Sequence, residues 1–193
     1  VEIYAAASGL SQFNTPASPA ASDVKVLAAG FGQDRWQSVH GFLVENRNRA
    51  NAVEKSQYHV TAFAQDGAVL ATESGYIELL LPGQKLGVAG GLNLPAADAT
   101  VDHVVVQVKA GNLRPAEPQP TFTADKVAYL KGEMAAKVTG VIQNPYPQDV
   151  SQVRISALVY DASGAIVGGG FGYLDFVPAE GQAAAEVMVT TRG

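Results

Sequence analysis

The sequence predicts an all-β protein built from two tandem modules, and two observations lead to this prediction. Short apolar or alternating runs follow one another with turn signals between them, which is typical of a β-sandwich or barrel. The runs also recur, since Gly67 and Gly164 lie 97 positions apart (164 − 67), as do Tyr76 and Tyr173 (173 − 76). A fixed offset of about one small domain indicates tandem repeats. No stretch has the periodicity and caps of a long helix.

Each predicted strand is an alternating or β-branched run that ends at a turn signal. In chain order, strands are expected at about 24–31, 36–45, 57–65, 68–80, 84–92, 101–109, 125–131, 135–143, 152–160, 165–177 and 182–190. The first six fall in a first module, residues 23–109, and the last five in a second module, residues 125–193.

Two proline-containing segments separate the predicted modules. Residues 110–124 contain three prolines and residues 8–22 contain two. Proline lacks a backbone donor and favours extended backbone, so residues 110–124 are predicted to form a semi-rigid connector. Residues 8–22 have a similar composition and are predicted to link residues 1–7 to the first module.

Residues 1–7 have the pattern of a last strand that belongs to a different module from the one they lead into. Val1 lies 103 positions before Val104 (104 − 1), and Leu10 lies 103 positions before Leu113 (113 − 10). Side chains alternate along a strand, so every second residue is expected to face inward. The inward positions are Val1, Ile3 and Ala5.

The second module is predicted to lack its last strand, because the sequence stops soon after Val187 and Val189. Burial of three apolar side chains contributes roughly 5–9 kcal/mol, at about 1.5–3 kcal/mol each. This is comparable with the whole stability of a domain, about 5–15 kcal/mol. An open sandwich also exposes an unpaired strand edge. We therefore expect residues 1–7 to act as a donor strand for a second module, through an interface of Val1, Ile3, Ala5, Val187 and Val189.

Composition limits the classes of partner. The 193 residues are 47% hydrophobic and carry a net charge of −5, with scattered Lys and Arg. This charge argues against nucleic acid or an anionic membrane as the main partner. No apolar run approaches the roughly 20 residues that span a bilayer, so no membrane span is predicted.

No catalytic constellation is recognisable in the sequence. The chain has no cysteine, which excludes disulfides, thiolate metal sites and a Cys nucleophile. His40, His59 and His103 lie far apart without the spacing of metal ligands, and each is interpreted as an ordinary strand histidine. The sequence therefore predicts no enzyme activity, no cofactor and no metal. Trp36, Phe31 and Phe42 could form an exposed sugar-binding platform, but core positions are the favoured interpretation of these aromatic residues.

Short motifs in the two halves match a known family. Gly41 and Asn46 in the first half, and Gly140 and Asn144 in the second, match a Gly-then-Asn opening. The segment 157–161, Ala-Leu-Val-Tyr-Asp, keeps the Tyr and Asp of an FxLYD pattern and has Ala in place of its Phe. On these residues each half resembles the FxLYD family, which consists of Ig-like β-sandwich modules of prokaryotic envelope and secreted proteins.

The remaining landmarks of the family are incomplete. In the first half the naming segment keeps only Asp66, and Pro82-Gly83 matches the family's hairpin, which residues 178–181 lengthen in the second half. The resemblance implies two tandem Ig-like antiparallel β-sandwiches. It also implies an extracellular or cell-surface location in a prokaryote, and adhesion or assembly rather than catalysis.

The leading functional hypothesis is a non-catalytic extracellular structural subunit. Its copies would assemble head to tail, into a filament in the simplest case, by donor-strand complementation. Two alternatives stay open. The chain could be a fragment of a longer cell-surface array of Ig-like modules that acts as a stalk or adhesin, or it could be a carbohydrate- or ligand-binding module. The expected partners are other copies of the chain, with surface glycans or other envelope proteins as further candidates.

Overall fold

Extended strands dominate the structure, as the alternating runs of the sequence predict. The computed structural model describes residues 1–7, 23–96, 98–117, 119–132 and 135–192. Strands make up 68% of the structure and these residues contain no helix, so the all-β prediction is confirmed. Accordingly, the described part of the chain has no helix that is long and apolar enough to cross a membrane. The predicted linker at 8–22 lies outside the described residues.

The described residues form thirteen strands, numbered in chain order. They are β1 (Glu2–Ala7), β2 (Val24–Gln33), β3 (Ser38–Asn46), β4 (Asn51–Phe63), β5 (Val69–Leu80), β6 (Lys85–Leu92), β7 (His103–Lys109), β8 (Asn112–Pro115), β9 (Thr123–Lys131), β10 (Ala136–Gln143), β11 (Val150–Tyr160), β12 (Ile166–Val177) and β13 (Gln182–Thr191). Their bounds follow the predicted strands closely, except at the start of β4 and at β8.

These two differences occur where the sequence is polar. β4 begins at Asn51, whereas the predicted strand begins at residue 57. The sequence pattern does not identify the first residues of β4, because they lack the apolar alternation that marks a strand. β8 lies inside the predicted connector 110–124 and pairs with the start of β4, with Asn51 opposite Pro115. An ion pair of 2.9 Å joins Arg114 Nε to Glu54 Oε2 beside this pairing. Part of the predicted connector is therefore an extension of the first set of strands.

The two halves of the chain repeat the same antiparallel pairings. In the first half (residues 23–117), β3 lies between β2 and β6, and β4 lies between β5 and β7, with β8 also paired to β4. In the second half (residues 119–192), β10 lies between β9 and β13, and β11 pairs with β12. A short contact between β12 and β13 joins these two groups, so the second half forms one sheet in the order β1-β11-β12-β13-β10-β9.

Each half encloses an apolar core of its own. The first core includes the fully buried side chains of Phe42, Val60 and Leu80. The second includes Ile142, Val153 and Ile155, together with Ile3 from β1. A smaller cluster of Ala89, Leu158 and Ile166 lies where the two halves meet.

The aromatic residues near the start of the first half divide between core and surface. Phe31 and Phe42 lie in the first core, as predicted. The core interpretation is wrong for Trp36, whose side chain is 79% exposed. The reason is its position in the turn between β2 and β3, outside the alternation of either strand.

A buried asparagine holds the same position in each half. The amide nitrogens of Asn46 and Asn144 each lie within hydrogen-bonding distance of three backbone carbonyls, at 2.8–3.1 Å. The acceptors are Asn51, Leu80 and Leu81 for Asn46, and Gln148, Val177 and Pro178 for Asn144. The acceptors of the two halves are 97 positions apart (148 − 51, 177 − 80 and 178 − 81). Each asparagine thereby ties the end of one strand to the hairpin that follows β5 or β12.

We predict that Asn144→Ala lowers the free energy of unfolding by about 2–4 kcal/mol, because it leaves buried carbonyls without a donor. Urea denaturation followed by circular dichroism measures the change. The matched control is Asn93→Ala, since Asn93 is exposed and its amide donates to Glu73 Oε1 at the surface. Equal stability changes in the two variants would contradict a structural role for the buried amide.

His40 is a buried base in the first half. Its side chain is 2% exposed, packs beside Phe42 and Tyr58, and its Nδ1 has no hydrogen-bond partner among the described residues. Burial, with a smaller contribution from the positive charge of Arg154, lowers the pKa of His40 from 6.5 to about 4. The imidazole is therefore neutral in the folded protein at neutral pH.

This lowered pKa predicts a loss of stability in mild acid. Between about pH 6.5 and 4 the unfolded chain binds a proton at His40 that the folded protein does not, so unfolding becomes easier as the pH falls. The full contribution is about 3 kcal/mol. We expect His40→Gln to reduce the stability difference between pH 7 and pH 5, measured by urea denaturation. The exposed-histidine control His59→Gln should keep that difference, and loss of it in both variants would contradict the assignment.

Candidate assembly site

The N-terminal strand pairs with the second half of the chain rather than with the first. β1 runs antiparallel to β11, with Glu2 opposite Leu158 and Ala7 opposite Val153. It forms one edge of the six-stranded sheet. A strand from the start of the sequence thus covers an edge that would otherwise expose unpaired backbone groups.

β1 holds in the second half the position that β7 holds in the first, at the same register. On β4, Val60 lies opposite Val106, and on β11, Ala157 lies opposite Ile3. The β4 and β11 residues are 97 positions apart (157 − 60). The β7 and β1 residues are 103 positions apart (106 − 3), which is the offset that links residues 1–10 to 104–113 in the sequence. The repeat therefore extends to the hydrogen-bond register.

Of the predicted interface residues, Ile3 lies where the alternation places it. Its side chain is 8% exposed and belongs to the same core as Val187 and Val189, which are also buried. The neighbour of β1 is β11, whereas Val187 pairs with Val138 on β10. Ile3 and the two valines therefore share a core without pairing edge to edge.

Val1 and Ala5, the other two predicted interface positions among residues 1–7, differ from Ile3. Val1, predicted to face inward, is 43% exposed, because β1 begins at Glu2 and Val1 has no partner residue on β11. The backbone of Ala5 lies opposite Ile155, while its side chain lies outside the part of the chain that the structure describes. Among the described side chains of β1, Ile3 is the one that belongs to the second core.

Ile3 fits a space that a glycine provides. A Cβ atom on Gly140 would lie 2.9 Å from Ile3 Cδ1, so only glycine leaves the isoleucine its present position. Gly140 lies opposite Ala185 on β13, whereas in the first half Phe42 lies opposite Val88 on β6. By strand register, the counterpart of Gly140 in the first half is therefore Phe42. The sequence motif instead matches Gly140 with the preceding residue, Gly41. The larger residue is on β3 in the first half and on β1 in the second.

The opposite face of β1 contacts the first half of the chain. The ring of Tyr4 packs against the first core and against the cluster between the halves. A Cβ atom on Gly87 of β6 would overlap this ring, lying 2.2 Å from Tyr4 Cδ2. β1 therefore binds β11 through its backbone, the second core through Ile3, and β6 through Tyr4.

The phenol of Tyr4 is held by a small polar cluster. Its hydroxyl donates to the Glu2 carboxylate, and the Tyr160 hydroxyl also lies near this carboxylate, at 3.4 Å. Burial, with the hydrogen bond to Glu2 second, raises the pKa of Tyr4, and burial also raises the pKa of Tyr160. Both phenols therefore stay protonated and able to donate. Sequence reasoning missed this cluster, although a large aromatic residue at an outward position of a strand is a signal that the face is covered.

The described residues show no alternative site of metal-dependent chemistry. No group of three or more His, Cys, Asp or Glu side chains lies close enough together there to hold a metal ion. The three histidines are on different strands, β3, β4 and β7. The arrangement around β1 contains packing and hydrogen bonds that bind a strand, and it is the candidate functional site on that ground.

The fit between Ile3 and Gly140 predicts an energetic coupling. Gly140→Val should lower the free energy of unfolding by about 1–3 kcal/mol through overpacking. The same substitution should cost less in an Ile3→Ala background, because the smaller side chain makes room for the valine. A double-mutant cycle measured by urea denaturation gives the coupling free energy. Additive effects would show that the two positions do not share this space.

Neither the protein-family models nor the curated protein sequences compared with the chain give a match. The resemblance to FxLYD modules therefore remains a prediction that rests on the motifs in the sequence. The geometry around β1, and above all its register along β11, is the feature of the chain that bears most on function.

Proposed function

We propose that the chain is a non-catalytic structural subunit of an extracellular or cell-surface assembly, and that β1 is its assembly element. In this proposal the two halves are Ig-like β-sandwich modules, and β1 completes the second module of a neighbouring copy. The observation that supports it most is the register of β1 on β11, which repeats that of β7 on β4. β1 is therefore equivalent to a module's last strand, supplied from the far end of the chain.

β1 can make the same contacts with the second half of its own chain or with the second half of another copy. When an identical strand is exchanged between copies, the backbone pairing, the packing of Ile3 on Gly140 and the packing of Tyr4 on Gly87 are all preserved. The two arrangements differ in the path of residues 8–22. Fifteen residues (22 − 8 + 1) reach at most about 50 Å when extended. Protein concentration then decides between the closed chain and the exchanged assembly.

Exchange of this kind is directional, which matches a structural subunit. The donated strand and the accepting edge are different surfaces, so each copy can give one strand and receive another. Such head-to-tail contacts form a ring when the rotation closes and a filament when it does not. Backbone hydrogen bonds supply affinity, and the alternating side chains select the register.

Disulfide trapping distinguishes the closed chain from the exchanged assembly. Tyr4 and Ser156 are directly opposite one another on β1 and β11, and the chain has no cysteine of its own. In Tyr4→Cys/Ser156→Cys protein, a bond within one chain leaves a monomer, whereas exchange gives covalent oligomers on a non-reducing gel. We expect a ladder of oligomers after refolding at high protein concentration. A monomer band alone at every concentration would contradict the proposal.

Light scattering after size-exclusion chromatography tests the role of the apolar contact. We expect refolded wild-type protein to form oligomers and Ile3→Asp to lose them, because a carboxylate is placed in the second core. Val105→Asp is the matched control, since Val105 is exposed on β7 at the position equivalent to Glu2 on β1. Oligomers of Ile3→Asp equal to those of the wild type would refute strand donation.

A further inference from the structure

A groove of about 700 Å³ lies between the two halves, where the end of β2, the start of β3 and the end of β6 meet β12 and β13. The first half contributes the turn between β2 and β3 and the end of β6, and the second half contributes β12 and β13. Its volume is in the range of ligand sites in proteins, about 300–1,000 Å³. The groove has no part in the binding of β1, because none of its lining residues belongs to that strand.

Three large apolar side chains in this groove are open to solvent. Trp36 is 79% exposed, Met188 53% and Phe171 43%. Large apolar groups that gather at one exposed place commonly mark a binding surface. Thr190 and Gly91 lie in the same groove, and a Cβ atom added at Gly91 would meet no atom within 4 Å. The space beside Gly91 is therefore open.

An arginine lies over each of the two aromatic rings. The Arg35 guanidinium lies 4.9 Å from the centroid of Trp36, and that of Arg154 lies 4.8 Å from the centroid of Phe171. Arg154 is itself fixed, since its Nη2 donates to the carbonyl of Ala89 at 2.6 Å. Each arginine contacts its ring from one side, and the exposed part of each ring is open to a ligand.

The turn that carries Trp36 is also fixed by a hydrogen-bonded carboxylate. Asp34 Oδ1 accepts from the backbone N–H groups of Trp36 and Gln37, at 2.7 and 2.9 Å. Two of the lining residues are ionisable, Asp34 and Arg35, and their charges are opposite. The other polar groups of the groove, including Gln37 and Asn93, are neutral amides and hydroxyls. The groove is therefore suited to a ligand without net charge.

From these features we propose that the groove binds a neutral oligosaccharide, with sugar rings stacked on Trp36 and Phe171. Sugar rings combine an apolar C–H face, which an aromatic ring covers, with hydroxyl groups that pair with amides such as Gln37. Chains of β-1,4-linked glucose or N-acetylglucosamine units carry no net charge and present such faces, so they are the ligands expected here. This function is separate from strand exchange, because the groove and β1 share no residue.

Tryptophan fluorescence provides the test, because Trp36 is the single tryptophan of the chain. The probes are cellotetraose and chitotetraose, with α-1,4-linked maltotetraose for comparison. We expect a saturable blue shift of the emission with at least one β-1,4-linked probe, because stacking removes water from the indole. No change with any of the three sugars at millimolar concentration would overturn the proposal.

Two variants test whether the sugar binds in the groove or elsewhere on the surface. Phe171→Ala should weaken binding of the responding sugar about fivefold, through loss of one stacking contact. Phe176→Ala is the matched control, since Phe176 is 53% exposed on the same strand but does not line the groove. Wild-type affinity in Phe171→Ala would overturn the proposal, as would tighter binding of a neutral Val-Thr hexapeptide than of any sugar. Circular dichroism verifies that both variants are folded.

Discussion

The antiparallel pairing of β1 with β11 is the interaction on which the rest of the arrangement depends. It covers the edge of β11, brings Ile3 into the second core and places Tyr4 on the first half. These three effects come from one short strand because neighbouring side chains point to opposite faces. The second core and the contact between the halves are therefore linked through the same six residues of backbone.

The two halves fill equivalent parts of their cores with different residues. In the first, Phe42 on β3 and Val106 on β7 belong to the same core. In the second, the equivalent position on β10 is Gly140, and Ile3 of β1 lies against it. The residue on β10 is therefore smaller than its counterpart and the residue on β1 is larger, while the register is the same. This reciprocal change makes β1 a better fit for the second half than a copy of β7 would be, because the valine of β7 has a smaller side chain.

Much of the fold could be predicted from the sequence, because strand alternation and repeat offsets are local or periodic signals. They located most strands and the inward position of Ile3. They missed β8, since its residues are polar and proline-containing, and they placed Trp36 in the core, since aromatic content does not distinguish a turn from a strand. The fit of Ile3 on Gly140 and of Tyr4 on Gly87 depends on contacts between distant residues. Such contacts leave no periodic mark in a single sequence.

The wide separation of β1 from its partner along the chain has a consequence for biosynthesis. Glu2 pairs with Leu158, which the ribosome adds 156 residues later (158 − 2). At about 5–20 residues per second, roughly eight to thirty seconds pass between the two events. Throughout that interval β1 has no partner strand from its own chain, so this part of the sheet can form only after β11 has been made.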